Sequence, residues 1–557
     1  MNKYFLSPFL KHLWTHPGHL LWVVLAYLPP LGTMNILMIG NQKLYFNIAM
    51  EMRERASLLT PYLFGEPNYL RPPFQLWMML FSWKVFGFNL WATLLPSVIF
   101  LLITAWLLGE ISGFLHERRW FINSGLWFAI ALGTVLFGTI YQTEIYVCFF
   151  YTASWWAMLK YLYKPIDFRD RKWLYIAFIL AGISALVKNP IYPLIWSMGV
   201  LSYLILSGEW ELFREKCLHR SFLIGILVGI FWYVFVFFHD RQRAWTHFLQ
   251  QLSLETLNNT DSVFGLWLSF LYLCFPFTLM IFVAIRTLIK KGRRVSNLVL
   301  FAISWVWPIV LVFSFFNYRN HSYAYLLVPL FALLADWAYF RVGRTKIFRA
   351  VVVISGVCVC LFSSGLALLV YRGDFASPWI ALGFVVCGIW ILVCSFKDWM
   401  RGMILCCLVS VFLFRATISV MGEWDLSVLK NTAINKPSAS IGFLDEENDL
   451  WSDVGLLSVT IRKPILRLTN LDQITEHLQK GGIVALDEEQ AKNNIRTIEA
   501  KLLGKGDFRI LEEKIWPRWQ RKSKFPLKKF LQEGKTGVSD FVELTQQQYK
   551  ILWLKDL

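Results

Sequence analysis

Acidic residues are scarce in this 557-residue sequence: 37 Asp and Glu stand against 55 Lys and Arg, a formal net charge of +18. Cysteine is scarcer, with nine, all at or within apolar segments except Cys217, which lies in a basic loop. The C-terminal stretch has none, which excludes a disulfide framework and a CxxC-type metal site. Cys358 with Cys360, and the neighbours Cys406 and Cys407, read as small apolar residues of lipid-embedded helices. No chain of acids and histidines runs through the apolar segments, which argues against a proton-coupled transporter. No basic patch with interleaved aromatics occurs outside the short loops, so the positive charge does not point to nucleic acid. No small-residue cleavage site follows the first apolar run, which is therefore read as an uncleaved span.

What the sequence has in abundance is apolar surface. It is 56% hydrophobic and 17% aromatic, with mean hydropathy +0.49. Apolar runs long enough to cross ~30 Å of hydrocarbon number about thirteen, centred near residues 29, 99, 131, 152, 180, 198, 229, 275, 306, 331, 361, 386 and 411. The expected fold is an all-α polytopic membrane domain over residues 1–422, followed by a small soluble α/β domain over 423–557. In the latter, 440–444 and 482–486 read as buried strands, 471–479 as a helix, and 508–516 as a further extended segment. Alternate loops, including those at 116–120, 164–172, 286–294 and 341–349, carry roughly twice the Lys and Arg of the others, which places them and the N-terminus in the cytoplasm. An odd number of spans then sends the C-terminal domain to the outer side.

The longest outward loop near the N-terminus, residues 41–87, holds the densest pattern. From Tyr45 to Leu58, Tyr45, Ile48, Ala49, Met52 and Ala56 fall on one helical stripe, with Asn47, Glu51, Glu54 and Arg55 on the other, the pattern of an interfacial amphipathic helix. Thr60-Pro61 stops it, Gly65-Glu66-Pro67-Asn68 signals a turn, and Arg71-Pro72-Pro73 opens an apolar helix over 74–86 with Gly87 as its stop. Farther on, Glu144 sits at a membrane edge, where a carboxylate is expensive unless paired or wet. Lys188 is isolated in an apolar stretch, as a snorkelling lysine or as a cation over an outward cavity. His239, Asp240 and His247 match no strong metal-ligand spacing, and a structural or solvated role is expected for them. Arg319 and His321 share the loop 316–323. Nothing in the C-terminal domain forms a phosphate loop or nucleophile elbow, and a lid or substrate-docking role is expected.

Several of these residues fall in the order of a known pattern. Tyr45, Ala49, Glu51-Met52, Leu59-Thr60-Pro61, Gly65, Tyr69, Arg71-Pro72-Pro73, Trp77 and Phe86-Gly87 resemble the first periplasmic loop of type-C-fold glycosyltransferases that use polyprenyl-phosphate sugars, the group of bacterial aminoarabinose transferases and protein O-mannosyltransferases. Glu144 resembles the second acidic position of that group, Lys188-Asn189-Pro190 its Lys-Gly-Pro turn, and Arg319 to Pro329 its basic residue followed by Tyr and Pro, the basic position falling on Arg319 or His321. The resemblance implies transfer of a sugar, with inversion, from a polyprenyl-phosphate carrier to a lipid, glycan or protein acceptor on the outer face of a bacterial inner membrane. It also implies that Arg71, Lys188 and Arg319 or His321 bind the donor phosphate, with Gln42, Tyr45 and Tyr69 near substrate. No metal ligand set is implied, and the need for a divalent metal stays open. One departure bears on chemistry: the acidic pair that opens the family loop is here Asn41-Gln42. An amide cannot take a proton as a carboxylate does. Asn41 can orient a hydroxyl or cap the helix that follows. Two readings therefore stand: a transferase using Glu144 or Glu51 as substitute base, or an acceptor that needs none, and a non-catalytic relative that binds lipid-linked sugar or a partner protein.

Overall fold

The computed structural model describes residues 16–33, 40–116, 124–138, 142–163, 168–247, 263–291, 297–315, 321–342, 345–373, 378–397, 400–420, 440–444, 465–502, 507–514 and 548–555. The chain packs as two compact units: residues 1–32, 69–367 and 379–416 form one, and 33–68, 368–378 and 417–557 the other.

The first unit is helical. It begins with α1 (His16–Tyr27). The loop helix 40–54 and the hairpin that follows belong to the second unit and are taken as α2 (Gly40–Glu54), β1 (Tyr62–Leu63) and β2 (Glu66–Pro67). The first unit resumes with α3 (Phe74–Phe86), α4 (Leu90–His116), α5 (Ser124–Ile130), α6 (Leu132–Phe137), α7 (Thr143–Leu162), α8 (Lys172–Val187), α9 (Ile191–Ser207) and α10 (Lys216–His239). It continues through α11 (Val263–Leu273), α12 (Thr278–Lys291), α13 (Asn297–Phe315), a 3-10 turn at His321–Leu327, α14 (Val328–Val342), α15 (Lys346–Gly373), α16 (Pro378–Phe396) and α17 (Met400–Val420). The limits of α3 are those that Pro72-Pro73 and Gly87 prescribe, with Gly87 at φ 81° as the stop.

At the centre lies α7, buried along nearly its whole length and packed between α4 and α8; α8 in turn packs on α10. That position lets α7 carry Glu144, Thr152 and Ser154 at membrane depth, because protein groups rather than lipid surround them. Elsewhere buried polar groups are tied across the helices. The Tyr27 hydroxyl donates to the Ala129 carbonyl at 2.6 Å, and Arg415 donates to the Tyr27 carbonyl at 2.5 Å. Asp336 accepts from the hydroxyls of Ser112 and Ser124.

Against about thirteen expected spans, five helices among the described residues are long and apolar enough to cross a membrane, Trp91–Leu115, Lys216–His239, Ser322–Phe340, Lys346–Leu368 and Pro378–Phe396. Four more are apolar but shorter, and α11 with α12 form a pair bent by 105°. The apolar runs near 131 and 275 are thus broken helices, and the two breaks satisfy each other: the Leu132 amide, freed between α5 and α6, donates at 2.8 Å to the Phe275 carbonyl between α11 and α12. Non-helical backbone at that depth persists only where protein supplies such a partner.

In the second unit, a five-stranded sheet runs in the order β4-β3-β5-β7-β6, with β3 (Ile441–Leu444), β4 (Ile465–Leu468), β5 (Ile483–Asp487), β6 (Asp507–Lys514) and β7 (Gln548–Lys555). β3 is parallel to β4 and β5, whereas β7 is antiparallel to β5 and β6. Helices α18 (Leu471–Gln479) and α19 (Glu488–Leu502) close a core of Leu444, Leu468, Ile474, Leu478, Val484 and Ile498. Asn470 caps α18 through the Gln473 amide.

The loop helix α2 departs from the interfacial reading. Every residue from Leu44 to Met52 is buried, Asn47 and Glu51 included, and from Leu44 to Leu58 exposure is confined to Arg53–Ala56 and Leu58. A polar stripe marks water or a polar protein partner alike, and for Glu51 the partner is protein. Its two carboxylate oxygens accept the amides of Phe64 at 2.6 Å and Gly65 at 2.8 Å, the two central residues of the β1–β2 turn. Both have positive φ, 55° and 86°, the two-residue turn that non-glycine residues resist. Arg55 closes the same turn, donating to the Gly65 carbonyl and lying 4.5 Å over the Tyr62 ring.

Candidate functional site

Three chain breaks of the first unit converge on one carboxylate. Gln142, in extended conformation, ends the preceding stretch and starts α7, so Glu144 falls in the first turn, where the helix dipole favours a negative charge. Lys188 sits at the C-cap of α8, where the dipole favours a positive one. Asn189 then turns the chain by accepting the Ile191 amide through Oδ1, and Pro190 precedes α9. The third break is the 3-10 turn at His321–Leu327, which delivers Ser322 and Tyr323.

The Lys188 Nζ lies 2.7 Å from Glu144 Oε1, and the Ser322 hydroxyl donates to the same oxygen at 2.7 Å. Thr143 donates to Oε2 at 3.1 Å. The ammonium also lies 4.6 Å over the Tyr323 ring and 5.6 Å from that of Tyr192. Both charged side chains are nearly covered, 11% exposed for Lys188 and 7% for Glu144. Lys188 is therefore neither a snorkelling lysine nor an isolated cation, and Glu144 is not an interfacial glutamate touching water: each is the other's counter-ion. The sequence reading singled out both but not their pairing, and it passed over Ser322 and Tyr323 in favour of their neighbours.

Of the remaining residues, Arg71 lies half-buried between Tyr69 and the Pro72-Pro73 step into α3. Tyr69 is buried, its ring 6.4 Å from that of Trp232 and 6.0 Å from that of His247, and its amide donates to His247 Nδ1 at 3.1 Å. Arg319 lies outside the described residues, and His321 is placed by its backbone alone, at the start of the 3-10 turn. In the second unit, Asn41 and Gln42 occupy the first turn of α2, so Asn41 is within the helix rather than at its N-cap; Tyr45 is buried one turn on. Glu51 holds the β1–β2 turn. Burial pushes its carboxyl above the ordinary carboxylate range, although the Gly65 and Phe64 amides and the Arg55 guanidinium pull the other way. With both oxygens occupied, it is a structural group of the loop. Glu51→Ala is expected to strand the two turn amides, lower stability by about 1–3 kcal/mol and open residues 62–67 to limited proteolysis. Among the described residues no three His, Cys, Asp or Glu side chains stand together to hold a metal.

A family model described as "Dolichyl-phosphate-mannose-protein mannosyltransferase" matches residues 70–235, a stretch that includes Arg71, Glu144 and Lys188. An uncharacterized protein of Aquifex aeolicus is 23% identical over 321 residues, covering 56% of this chain and 61% of that relative, less than two thirds of its length. Among solved structures, ArnT from Cupriavidus metallidurans in the apo state is similar at TM-score 0.66 and 15% identity, over 86% of this chain and 94% of that one. The same protein bound to undecaprenyl phosphate gives TM-score 0.65 at 14% identity, with the same coverage. The likeness read from the sequence is thus met by the family model over residues 70–235 and by the fold, which is similar to that of ArnT over most of the chain.

Proposed function

We propose that this protein is an inverting membrane glycosyltransferase that moves a sugar from a polyprenyl-phosphate carrier to a lipid, glycan or protein acceptor on the outer side of the bacterial inner membrane. In this reading residues 1–422 form the transferase domain, and 423–557 form an outward-facing domain that docks or covers substrate. The observation that carries it is the buried Glu144–Lys188 pair, set within the stretch that matches the family and on the fold of a protein crystallised with undecaprenyl phosphate.

The chemistry follows from that pair. The acceptor hydroxyl attacks the anomeric carbon, the bond from that carbon to the phosphate oxygen breaks, and polyprenyl phosphate leaves with the electron pair. Charge grows on the leaving oxygen, so cations beside it stabilise the transition state. Arg71 presents a planar fork suited to two phosphate oxygens, and Arg319 or His321 adds a further basic group. Lys188 is already in place but is neutralised by Glu144. When a phosphate arrives, the ammonium is shared with it, and Glu144 is freed to take the acceptor proton that the Asn41 amide cannot. The competing reading, a binding protein without catalysis, draws on Asn41 and Gln42 at the acidic pair, and the retained cation, prolines and aromatics of the loop would serve binding as well.

Purified protein incubated with a panel of polyprenyl-phosphate sugars, with release of polyprenyl phosphate followed by mass spectrometry, separates the two. Wild type is expected to turn over one donor, Glu144→Gln to lose at least ~100-fold in rate, and Arg71→Ala to bind undecaprenyl phosphate about 10- to 100-fold more weakly. Turnover by Asn41→Asp and not by wild type establishes the binding protein instead.

A further inference from the structure

We infer that His247 is a positioning residue for the segment Tyr69–Pro73, and through it for Arg71, by accepting the backbone N–H of Tyr69. The inference rests on the reading of Arg71 as a phosphate ligand, and it gives a role to a histidine whose spacing from His239 and Asp240 suggested none.

The segment from Tyr69 to Pro73 has no helix or strand of its own, and Pro72 and Pro73 have no N–H to offer a neighbour. A stretch of this kind that must present a side chain accurately needs an anchor from outside. His247 supplies one from 178 residues away: its Nδ1 lies 3.1 Å from the Tyr69 nitrogen, and its ring and that of Trp232 flank the Tyr69 ring. His247 is itself held. Asp240 ends α10, and its side chain accepts the Arg243 amide while its carbonyl accepts that of Ala244. This starts the helical turns over 241–247 that carry the histidine.

Accepting an amide at Nδ1 requires a neutral ring with its proton on Nε2. The surroundings favour that form, since burial and then the Arg243 guanidinium hold the imidazole below its ordinary value, against the opposing pull of Asp240. Arg71 is two residues from the anchored amide, so tilting the Tyr69 peptide re-aims the guanidinium without removing any charge.

Three full-length variants in detergent test this: His247→Ala, His247→Asn and His247→Gln. An Asn side chain places an acceptor oxygen close to the position of Nδ1, whereas that of Gln reaches toward Nε2. Hydrogen exchange over residues 66–74, read by mass spectrometry, reports the anchor, and binding of undecaprenyl phosphate reports its consequence. In His247→Ala and His247→Gln, exchange at the Tyr69 amide is expected to quicken several-fold and affinity to fall about fivefold, the loss of one hydrogen bond; His247→Asn is expected to restore both. Unchanged exchange in His247→Ala, or equal behaviour of Asn and Gln, overturns the inference. So does quickened exchange with undiminished affinity, provided that Arg71→Ala still weakens binding. If Arg71→Ala binds undecaprenyl phosphate like wild type, the phosphate reading falls and the exchange data alone decide the anchor.

Discussion

Lys188→Met is expected to lower the stability of the protein by roughly 3–5 kcal/mol, the cost of leaving a buried charge without its partner, and to abolish sugar transfer. Glu144 would keep the hydroxyls of Ser322 and Thr143 as side-chain donors but no counter-charge, too little for a carboxylate that is 7% exposed. Glu144→Gln is expected to cost less, because an amide still accepts from Ser322 while the freed ammonium retains the Tyr323 ring. Combined in one chain, the two changes remove both charges, and most of the lost stability should return although transfer should not. Thermal unfolding in detergent of wild type, both single variants and the double variant closes the cycle, and the coupling between the two sites is its direct readout. Additive losses would show that the two groups do not act as a pair. A comparison within the same protein sharpens the test: Lys480 and Glu476 also pair, at 2.6 Å, but are 72% and 64% exposed, and Lys480→Met should leave the melting point where it is.

The pairing shows what a sequence of this kind does and does not disclose. Glu144 and Lys188 stand out because each interrupts an apolar run, and a charge there has to be explained. That they answer each other depends on where α7 begins and α8 ends, and Ser322, the third member, has no feature that marks it among the serines of the chain. Local signals fared better: Pro72-Pro73 and Gly87 bound α3, and the strands and helix expected at 440–444, 482–486 and 471–479 lie at β3, β5 and α18. Periodicity misled at α2, where the polar stripe is satisfied by protein in the case of Glu51. Hydropathy misled near 131 and 275, since a broken helix is as apolar as a whole one; Pro276 was a legible warning, whereas the break at Ala131 carried none. Strand β7 went unread because its place between β5 and β6 is set by pairing across the sheet rather than by its own residues.

Gly182→Ala is expected to be as damaging as the loss of Lys188, although it adds one methyl group. A Cβ at Gly182 would lie 2.2 Å from the Gly225 carbonyl oxygen, and one at Gly225 would lie 2.6 Å from that of Phe178. The obstacles are backbone atoms of the facing helix, so no rotamer change relieves them and α8 and α10 must separate. Small residues permit this close approach in membranes, where packing rather than water release holds helices together. The cost should therefore reach or exceed the ~1–3 kcal/mol of ordinary overpacking. It should also reach the site, because α8 is packed between α7 and α10 and ends at Lys188, about 9 Å farther along at 1.5 Å per residue. A displacement of ~1 Å there would take the 2.7 Å contact with Glu144 beyond hydrogen-bond range. Gly113→Ala on α4 is the control, since nothing lies within 4 Å of its added carbon. The expected result is a lowered melting point and lost turnover for Gly182→Ala, with Gly113→Ala at or above wild type in stability. If Gly182→Ala melts with the control yet fails to turn over, the helix crossing yields without cost, and its grip on Lys188 alone accounts for the glycine.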